Sequence, residues 1–263
     1  MTHDKDGSGI IDTDDIEFSG YLQGDGDFRS KEVCQLRDEA DIIITNPPFS
    51  QFRDFLAWIM EAGKQFIVLG NMNAITYKEV FSYIKNNLIW LGYKALNLDM
   101  YFNIPDEYIT WLLANKKEGS AYKIINGVVM GRLASACWFT NIDHGKRHEY
   151  LQLDTMSHNL KYNKKLKKKF ETEYGAIKFP KYDNYDAIEV PFTECIPSDY
   201  DGVMGAPITF LDKYNPDQFE IIGMESSAGY NAEIVGIPLL ITGDARPAIK
   251  GKTTYARIFI KQK

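Results

Sequence analysis

Short apolar runs alternate with segments of helical periodicity over the first hundred residues. The runs at 40–45, 65–69 and 88–93 are rich in Ile, Val and Leu, which is typical of strands buried on both faces of a sheet. Between the first two runs, a helix is predicted from Ser50 to Gly63, where glycine favours a stop. Its apolar face carries Phe52, Phe55, Leu56, Ile59 and Met60.

A second helix and two further strands are predicted in the same half of the chain. Residues 76–87 are predicted to be helical. The apolar face of this helix comprises Val80, Phe81 and Ile84. Strand–helix–strand order at such short spacing predicts parallel βαβ units, whose ligand sites lie at the carboxyl ends of the strands. Asn46 and Asn71 occupy two such ends. Further along, the segments 122–130 and 136–140 are predicted to form an antiparallel pair of strands that closes the sheet.

The pattern changes after residue 150. A basic stretch at 157–172 is predicted to be helical. Short β runs separated by turn residues follow it, at 207–211, 219–222, 238–242 and 255–260. We therefore predict an α/β domain over 1–150 and a β-rich module over 151–263.

Composition places the chain among ordinary globular proteins. It has 263 residues, 44% hydrophobic and 25% charged, with a net charge of −6. No apolar run approaches the roughly 20 residues that span a bilayer, and the first residues lack the pattern of a signal peptide. Cys34, Cys137 and Cys195 are too scattered for a disulfide framework. We predict a protein of the reducing cytoplasm that makes no membrane contact.

Positive charge is concentrated in one stretch of this acidic chain. Residues 161–169 read KYNKKLKKK, and 144–148 are also basic. Such a stripe can hold a phosphate backbone, because these contacts are short-ranged in physiological salt, but it can equally be a solvated helix face. The predicted DNA contacts are Lys161, Lys164, Lys165, Lys167, Lys168 and Arg147. His144 and His148 are four residues apart without an evident third ligand, so no metal site is predicted.

The string Asn46-Pro47-Pro48-Phe49 directly follows a predicted strand. On its own it can be a turn, but strand–NPPF–helix resembles the methyltransferases that methylate the amino group of adenine. The residue types suit that chemistry, since two acceptors, the Asn46 side-chain oxygen and the Pro47 carbonyl, can orient the lone pair of the amine. Proline has no N–H and a fixed φ, which holds this carbonyl rigidly. Phe49 can stack on a base rotated out of the duplex.

A second motif, Gly24-Asp25-Gly26-Asp27-Phe28-Arg29-Ser30, lies upstream. By itself it is typical of a glycine-rich turn with Ser30 as the N-cap of a helix. Beside NPPF it also resembles a site for S-adenosylmethionine. In that interpretation Asp27 accepts a hydrogen bond from the adenine amine of the cofactor, and Phe28 packs beside the adenine.

Most of the chain from about residue 20 resembles the adenine-specific DNA methyltransferases of the EcoRI modification-enzyme type. The resemblance rests on blocks in the family order, among them GDGDFRS (24–30), ADIIITNPPFSQFRDFLAWI (40–59), GNMNAITYKEVF (70–81), ACWFTNIDHGKRHE (136–149), KYDNYDAIEV (181–190) and YARIFIK (255–261). It implies a Rossmann-like sheet, S-adenosylmethionine as methyl donor, double-stranded DNA with a flipped adenine as substrate, a restriction-modification system, and target recognition by 151–263.

One departure from the family leaves alternatives open. The strands and the loop that hold the methionine end of the cofactor normally precede the Asp-Phe segment, and about 26 residues are too few for them. The sequence therefore predicts an N-terminally incomplete sheet over 1–150, weak cofactor binding, and self-association through the uncovered edge of the strand at 42–45. Two other interpretations are a catalytically dead DNA-binding remnant and an NPPF enzyme that methylates RNA or protein glutamine.

Overall fold

The structure, a computed structural model, describes residues 7–9, 20–96, 98–225, 240 and 246–263. The α-helices within these ranges are α1 (Lys31–Glu39), α2 (Phe52–Glu61), α3 (Lys78–Lys85), α4 (Asp106–Asn115), α5 (Met156–Tyr162) and α6 (Lys164–Tyr174). The strands are β1 (Ile42–Thr45), β2 (Gln65–Asn71), β3 (Trp90–Leu91), β4 (Met100–Asn103), β5 (Tyr122–Ile125), β6 (Val128–Leu133), β7 (Ala136–Thr140), β8 (Ala187–Glu189), β9 (Val203–Pro207), β10 (Phe219–Glu225), β11 (Ala248–Ile249), β12 (Lys252–Thr253) and β13 (Arg257–Gln262).

The first half of the chain forms a mixed sheet with the strand order β1-β2-β7-β3. β1 and β2 are parallel, and β7 runs antiparallel to both β2 and β3. β2 and β3 therefore point in the same direction, with β7 between them. The parallel β1–β2 pair and a closing antiparallel strand at 136–140 are confirmed.

The helices that flank this sheet follow their apolar spacing. α2 buries Phe52, Phe55, Leu56 and Ile59, and α3 buries Val80, Phe81 and Ile84. Gly63 has φ +63°, a left-handed conformation that glycine adopts without strain, and its N–H caps the end of α2. Both helices are thus confirmed, each preceded by a short 3₁₀ turn.

The prediction that the strand at 40–45 is buried on both faces is wrong. Ile42 and Ile44 share a face of β1 and are 45% and 68% exposed. No strand in the described part of the chain pairs with the outer edge of β1. β1 therefore combines an open edge with an exposed apolar face.

Residues 122–130 do not join the main sheet, which corrects the predicted pairing with 136–140. Asn126 and Gly127 both have positive φ and form the two-residue turn of a tight hairpin, so β5 pairs with β6 instead. β4 pairs with the other side of β6 and completes a small three-stranded sheet. With α4, which buries no side chain, these strands form an arm between β3 and β7.

The second half of the chain forms a sheet with the order β10-β13-β9-β8. The strand predicted at 207–211 is wrong, since β9 ends at Pro207 and residues Ile208–Lys213 form a 3₁₀ helix that buries Phe210. The strands predicted at 219–222 and 255–260 are confirmed as β10 and β13, whereas 238–242 lies outside the described residues except for residue 240.

The two halves share one core. A single apolar cluster contains Phe66 and Phe139 from the first sheet, and Phe219 and Ile260 from the second. The division at residue 150 stays a prediction. Within the described residues, no helix is long and apolar enough to cross a membrane.

Candidate active site

Asn46 and Pro47 follow the carboxyl end of β1, next to the carboxyl end of β2. Asn46 and Pro48 are exposed and Pro47 is buried. The Pro48 carbonyl accepts the Gln51 N–H at 2.9 Å, which starts the 3₁₀ turn that leads into α2. The prolines thus end β1 and place an exposed asparagine at the edge of the sheet where parallel strands present ligand sites.

The second asparagine at this edge has a local role. The Asn71 side-chain oxygen accepts the Asn73 N–H at 2.8 Å and caps the 3₁₀ helix Met72–Thr76. A side-chain oxygen bound in this way stabilises the start of a helical turn. Of the two asparagines, Asn46 is the one whose side chain makes no hydrogen bond within the described residues.

Asp27 lies in a turn ordered by its own hydrogen bonds. Its Oδ1 accepts the Arg29 N–H at 2.8 Å, and its N–H donates to Asp25 Oδ1 at 3.1 Å. The Ser30 hydroxyl accepts the Val33 N–H at 3.3 Å, which confirms Ser30 as the N-cap of α1. The Asp27 side chain remains 42% exposed, and a carboxylate can accept further hydrogen bonds beyond the one from Arg29.

Phe28 anchors this turn to α2. Its ring is buried and makes edge contacts with Phe55 and Trp58, with ring centroids 5.2 and 5.5 Å apart. The Arg29 guanidinium lies over the Phe28 ring, 4.3 Å from its centroid, and donates to Asp54 Oδ2 at 2.9 Å. The aromatic and ionic contacts fix the position of Asp27 relative to the helix that follows NPPF.

The two motifs line one cavity of about 430 Å³. Its described lining consists of Asp25, Gly26, Asp27, Phe28, Thr45, Asn46, Pro47, Pro48, Gln51 and Phe55. A volume of this size is typical of a site for a small organic ligand. The structure therefore brings together the predicted residues Asp27, Phe28, Asn46, Pro47 and Pro48.

Phe49 lies beside this cavity, half-buried between the sheet and the arm. It packs against the cluster of Leu69, Met100 and Ala136. Part of the ring is thus held by the sheet while the rest stays accessible.

The predicted basic residues divide into two groups. The helix prediction at 157–172 is confirmed as α5 and α6, with Leu166 and Phe170 facing the core. The lysines predicted to bind DNA are exposed except for Lys167, which is half-buried. These lysines, the first of the two groups, are Lys161, Lys164, Lys165, Lys167 and Lys168.

Arg147, unlike the lysines, is buried among contacts within the protein. It is only 8% exposed, and its guanidinium lies over the Trp90 ring at 3.5 Å. It also donates to Asp143 Oδ1 at 3.1 Å and to the Asn87 side chain. Because these internal contacts occupy the guanidinium, Arg147 is left out of the proposed DNA contacts.

The two histidines near Arg147 are bound to the protein itself. His148 Nε2 lies 2.8 Å from Asp143 Oδ2, and this hydrogen bond holds the pKa of the Asp143 carboxyl below its usual range. His144 Nε2 lies 2.9 Å from the Leu91 carbonyl. Among the residues that the structure describes, no three His, Cys, Asp or Glu side chains gather as a metal site would need.

Sequence reasoning missed Gln51 and Phe55 as cavity-lining residues, and Arg29 and Asp54 as the ion pair behind them. Phe55 carried a signal, since it follows NPPF on the apolar face of α2. No sequence pattern indicated the Arg29–Asp54 pair, because residues 25 positions apart are not brought together by helix or strand periodicity.

Comparison with known proteins places the chain in one family. The family model described as adenine-specific methyltransferase EcoRI matches residues 1–263. Type II methyltransferase M.EcoRI of Escherichia coli is 38% identical over 261 residues, which cover 99% of this chain and 69% of that protein.

Two mycoplasma proteins are also similar. M.MgeORF184P of Mycoplasma genitalium is 36% identical over 244 residues, and M.MpnI of Mycoplasma pneumoniae is 33% identical over 249 residues. Each alignment covers 92% of this chain and 70% of the relative, and both relatives are named type II methyltransferases. No solved structure matches the chain closely. With the family model covering all of its residues, the chain belongs to the EcoRI family of adenine-specific methyltransferases.

Proposed function

We propose that this chain is a site-specific DNA methyltransferase of a type II restriction-modification system, acting in the cytoplasm on the N6 amine of adenine. The observation that carries the proposal is the shared cavity, which joins the Asp27–Phe28 turn to Asn46 and Pro47. The similarity to proteins named type II methyltransferases supports the same reaction.

The described cavity suits the adenosine end of S-adenosylmethionine. Asp27 can accept from the adenine amine, and the Phe28 and Phe55 side chains offer apolar surface to the ring. When bound, the cofactor supplies an electrophilic methyl group. Asp27 and Phe28 would hold the adenine of the cofactor. Asn46 and Pro47 would face the target amine that receives the methyl group. The strand order β1-β2-β7-β3 is consistent with part of a Rossmann-like methyltransferase sheet.

The target amine is activated by orientation. Its two N–H groups donate to the Asn46 side-chain oxygen and the Pro47 carbonyl, which favours a pyramidal nitrogen with its lone pair free to attack. The prolines hold the carbonyl in place, so the acceptors need no rearrangement as charge develops. The adenine reaches them only when it is rotated out of the duplex, and the half-exposed Phe49 ring stacks against it.

The direct test is methyl transfer to DNA by the Asn46→Ala variant. With unmethylated phage DNA as substrate and N6-methyldeoxyadenosine measured by mass spectrometry, the variant should be slower by roughly 10²–10³, the effect of removing one transition-state hydrogen-bonding group. Asn103→Ala, an exposed asparagine on β4 of the arm, is the matched control and should keep normal turnover. Full turnover by Asn46→Ala would refute the role of Asn46.

The substrate class is tested in the same assay. RNA and a glutamine-containing protein offer a similar planar amine, so both are incubated in parallel with labelled cofactor. Methyl transfer to either one, with none to DNA, would overturn the DNA assignment.

A second candidate function, DNA binding without methyl transfer, is favoured by the described lining of the cavity. This lining comes only from residues 25–55, and its charged side chains are the carboxylates of Asp25 and Asp27. Neither can pair with the cofactor's own carboxylate, and each missing charge-assisted hydrogen bond costs about 1–3 kcal/mol. Calorimetry with S-adenosylmethionine separates the functions. Micromolar binding supports methyl transfer, and binding no tighter than about millimolar supports the second candidate.

A further inference from the structure

A larger cleft lies between the two sheets, apart from the NPPF cavity. It has a volume of about 690 Å³ and adjoins a second hollow of about 360 Å³. Both are lined by Lys169 of α6 and by Thr253, Thr254 and Tyr255. We call this continuous space the hairpin groove, after the β11–β12 hairpin beside it.

The groove opens beside the catalytic edge of the main sheet. Met72, Asn73 and Thr76 line it, and all three belong to the 3₁₀ helix that directly follows β2. Because β1 and β2 are parallel neighbours, the carboxyl end of β2 lies next to the carboxyl end of β1, which leads into Asn46. A strand of DNA in the groove would therefore pass close to the acceptors for the target amine.

The chemistry of the groove suits a phosphate backbone. Its described lining carries the hydroxyls of Thr209 and Thr253, side chains that commonly donate to phosphate oxygens. Lys252 is exposed on β12, and Lys169 of α6 lines both hollows. Two carboxylates also face the groove, Glu225 and Glu173, and the latter is paired with Lys169 at 2.6 Å.

Tyr255 is the most distinctive residue of the groove. Tyr255 is 85% exposed, and its backbone carbonyl is bound from within the protein. Its carbonyl accepts from Arg257 Nη1 at 3.4 Å, and the same guanidinium binds the fully buried Glu189 through Nη2 at 2.6 Å. A buried ion pair thus lies next to an aromatic ring that is almost fully open to solvent. A solvated aromatic ring on a backbone tied to a buried ion pair is a suitable platform for stacking on a nucleobase.

We propose that the hairpin groove holds the DNA strand next to the target adenine, with the Tyr255 ring stacked on a base and Lys252 and Thr253 against the backbone. The assignment rests on the proposed function as a DNA enzyme and adds to it a surface and a base-stacking residue. Stacking is largely independent of sequence, so Tyr255 contributes to affinity for every duplex in which a base is unstacked.

The test is photo-crosslinking to a short duplex of random sequence in which 5-iododeoxyuridine replaces thymidine. Trypsin cleaves after Lys252 and Arg257, so a crosslink at Tyr255 appears by mass spectrometry on the peptide 253–257. Tyr255→Ala should lose this crosslink and bind the duplex about 5- to 150-fold more weakly, since stacking on one base is worth about 1–3 kcal/mol. Tyr255→Phe should retain both, because the ring and not the hydroxyl makes the contact.

Tyr108→Ala is the matched control, because Tyr108 is an exposed tyrosine on α4 outside the groove. It should change neither the crosslink nor the affinity. If the unaltered chain binds DNA but no crosslink falls on 253–257, or Tyr255→Ala binds as tightly as the unaltered chain, the groove assignment is wrong while the proposed function stands. If the unaltered chain binds no duplex even at low salt, both fail together.

Discussion

At the scale of single residues, the three cysteine thiols differ in their solvent exposure. Cys137 and Cys195 are buried, and burial raises the pKa of each thiol to about 12. The thiolate is the reactive form, so these two side chains are inert at neutral pH. Cys34 is half-buried at the surface of α1, beside the Trp58 indole, and is the accessible one.

We expect one thiol of the folded protein to react with Ellman's reagent at about pH 8, and three after unfolding in guanidinium. The Cys34→Ser variant should show no fast reaction, whereas Cys137→Ser should react like the unaltered protein. Fast release of more than one equivalent from the folded chain would contradict the burial of Cys137 and Cys195.

The proposed catalytic residues could be predicted from sequence to the extent that their chemistry is local. The position of Asn46 and Pro47 after a strand could be predicted, and it is this position that gives their proposed acceptors a direction. Arg147 could not, since its basic neighbours indicated a phosphate contact and only the fold brings Trp90 and Asp143 around it. A single charged residue carries no information in the sequence about whether a partner inside the protein neutralises it.

At the scale of elements, the α6 lysines are the part of the proposed DNA surface that charge alone indicates. Replacing Lys164, Lys165 and Lys168 by Gln should weaken binding to all duplexes alike. The slope of log K against log salt should become shallower by about 0.9 for each phosphate that the variant no longer neutralises. The helix itself should persist, because Leu166 and Phe170 anchor its other face.

The matched control replaces three exposed lysines of the arm, Lys116, Lys117 and Lys123, by Gln. This variant carries the same change of net charge at a different place. Equal salt slopes for the α6 variant, the arm variant and the unaltered chain would show that α6 is only a solvated face.

Elements were predictable where one face of a helix is buried. α2 and α3 followed from their apolar spacing, whereas α4 buries no side chain and its exposed Tyr108 and Trp111 produce no inward face to detect. The strand predicted at 207–211 was wrong for a different reason. A short apolar segment looks the same whether it is a strand or a buried 3₁₀ turn, and the choice depends on the packing around Phe210.

At the scale of the whole molecule, the open edge of β1 is a surface through which copies of the chain can associate. Among the described residues no strand pairs with this edge, and Ile42 and Ile44 are exposed beside it, which is the combination that recruits strands from other chains. We expect the isolated chain to self-associate with rising concentration in sedimentation velocity. A charge on that face, Ile44→Lys, should shift the distribution toward monomer.

Val128→Lys places the same charge on a comparably exposed β-branched residue of β6, which has a partner strand on each side. This control should associate like the unaltered chain. A monomer at all concentrations, or equal effects of the two lysines, would contradict association through β1.

The position of β7 between β2 and β3 has a consequence for biosynthesis. Phe66, near the start of β2, donates its N–H to the side chain of Asn141, 75 positions later, and its carbonyl accepts from the Thr140 hydroxyl at 2.6 Å. During synthesis, β2 and β3 leave the ribosome before β7, the strand that lies between them in the sheet. The centre of the sheet therefore closes only after the whole arm has been translated. Because the entropic cost of such a closure grows only with the logarithm of loop length, the arm can lengthen or shorten at little cost to that step.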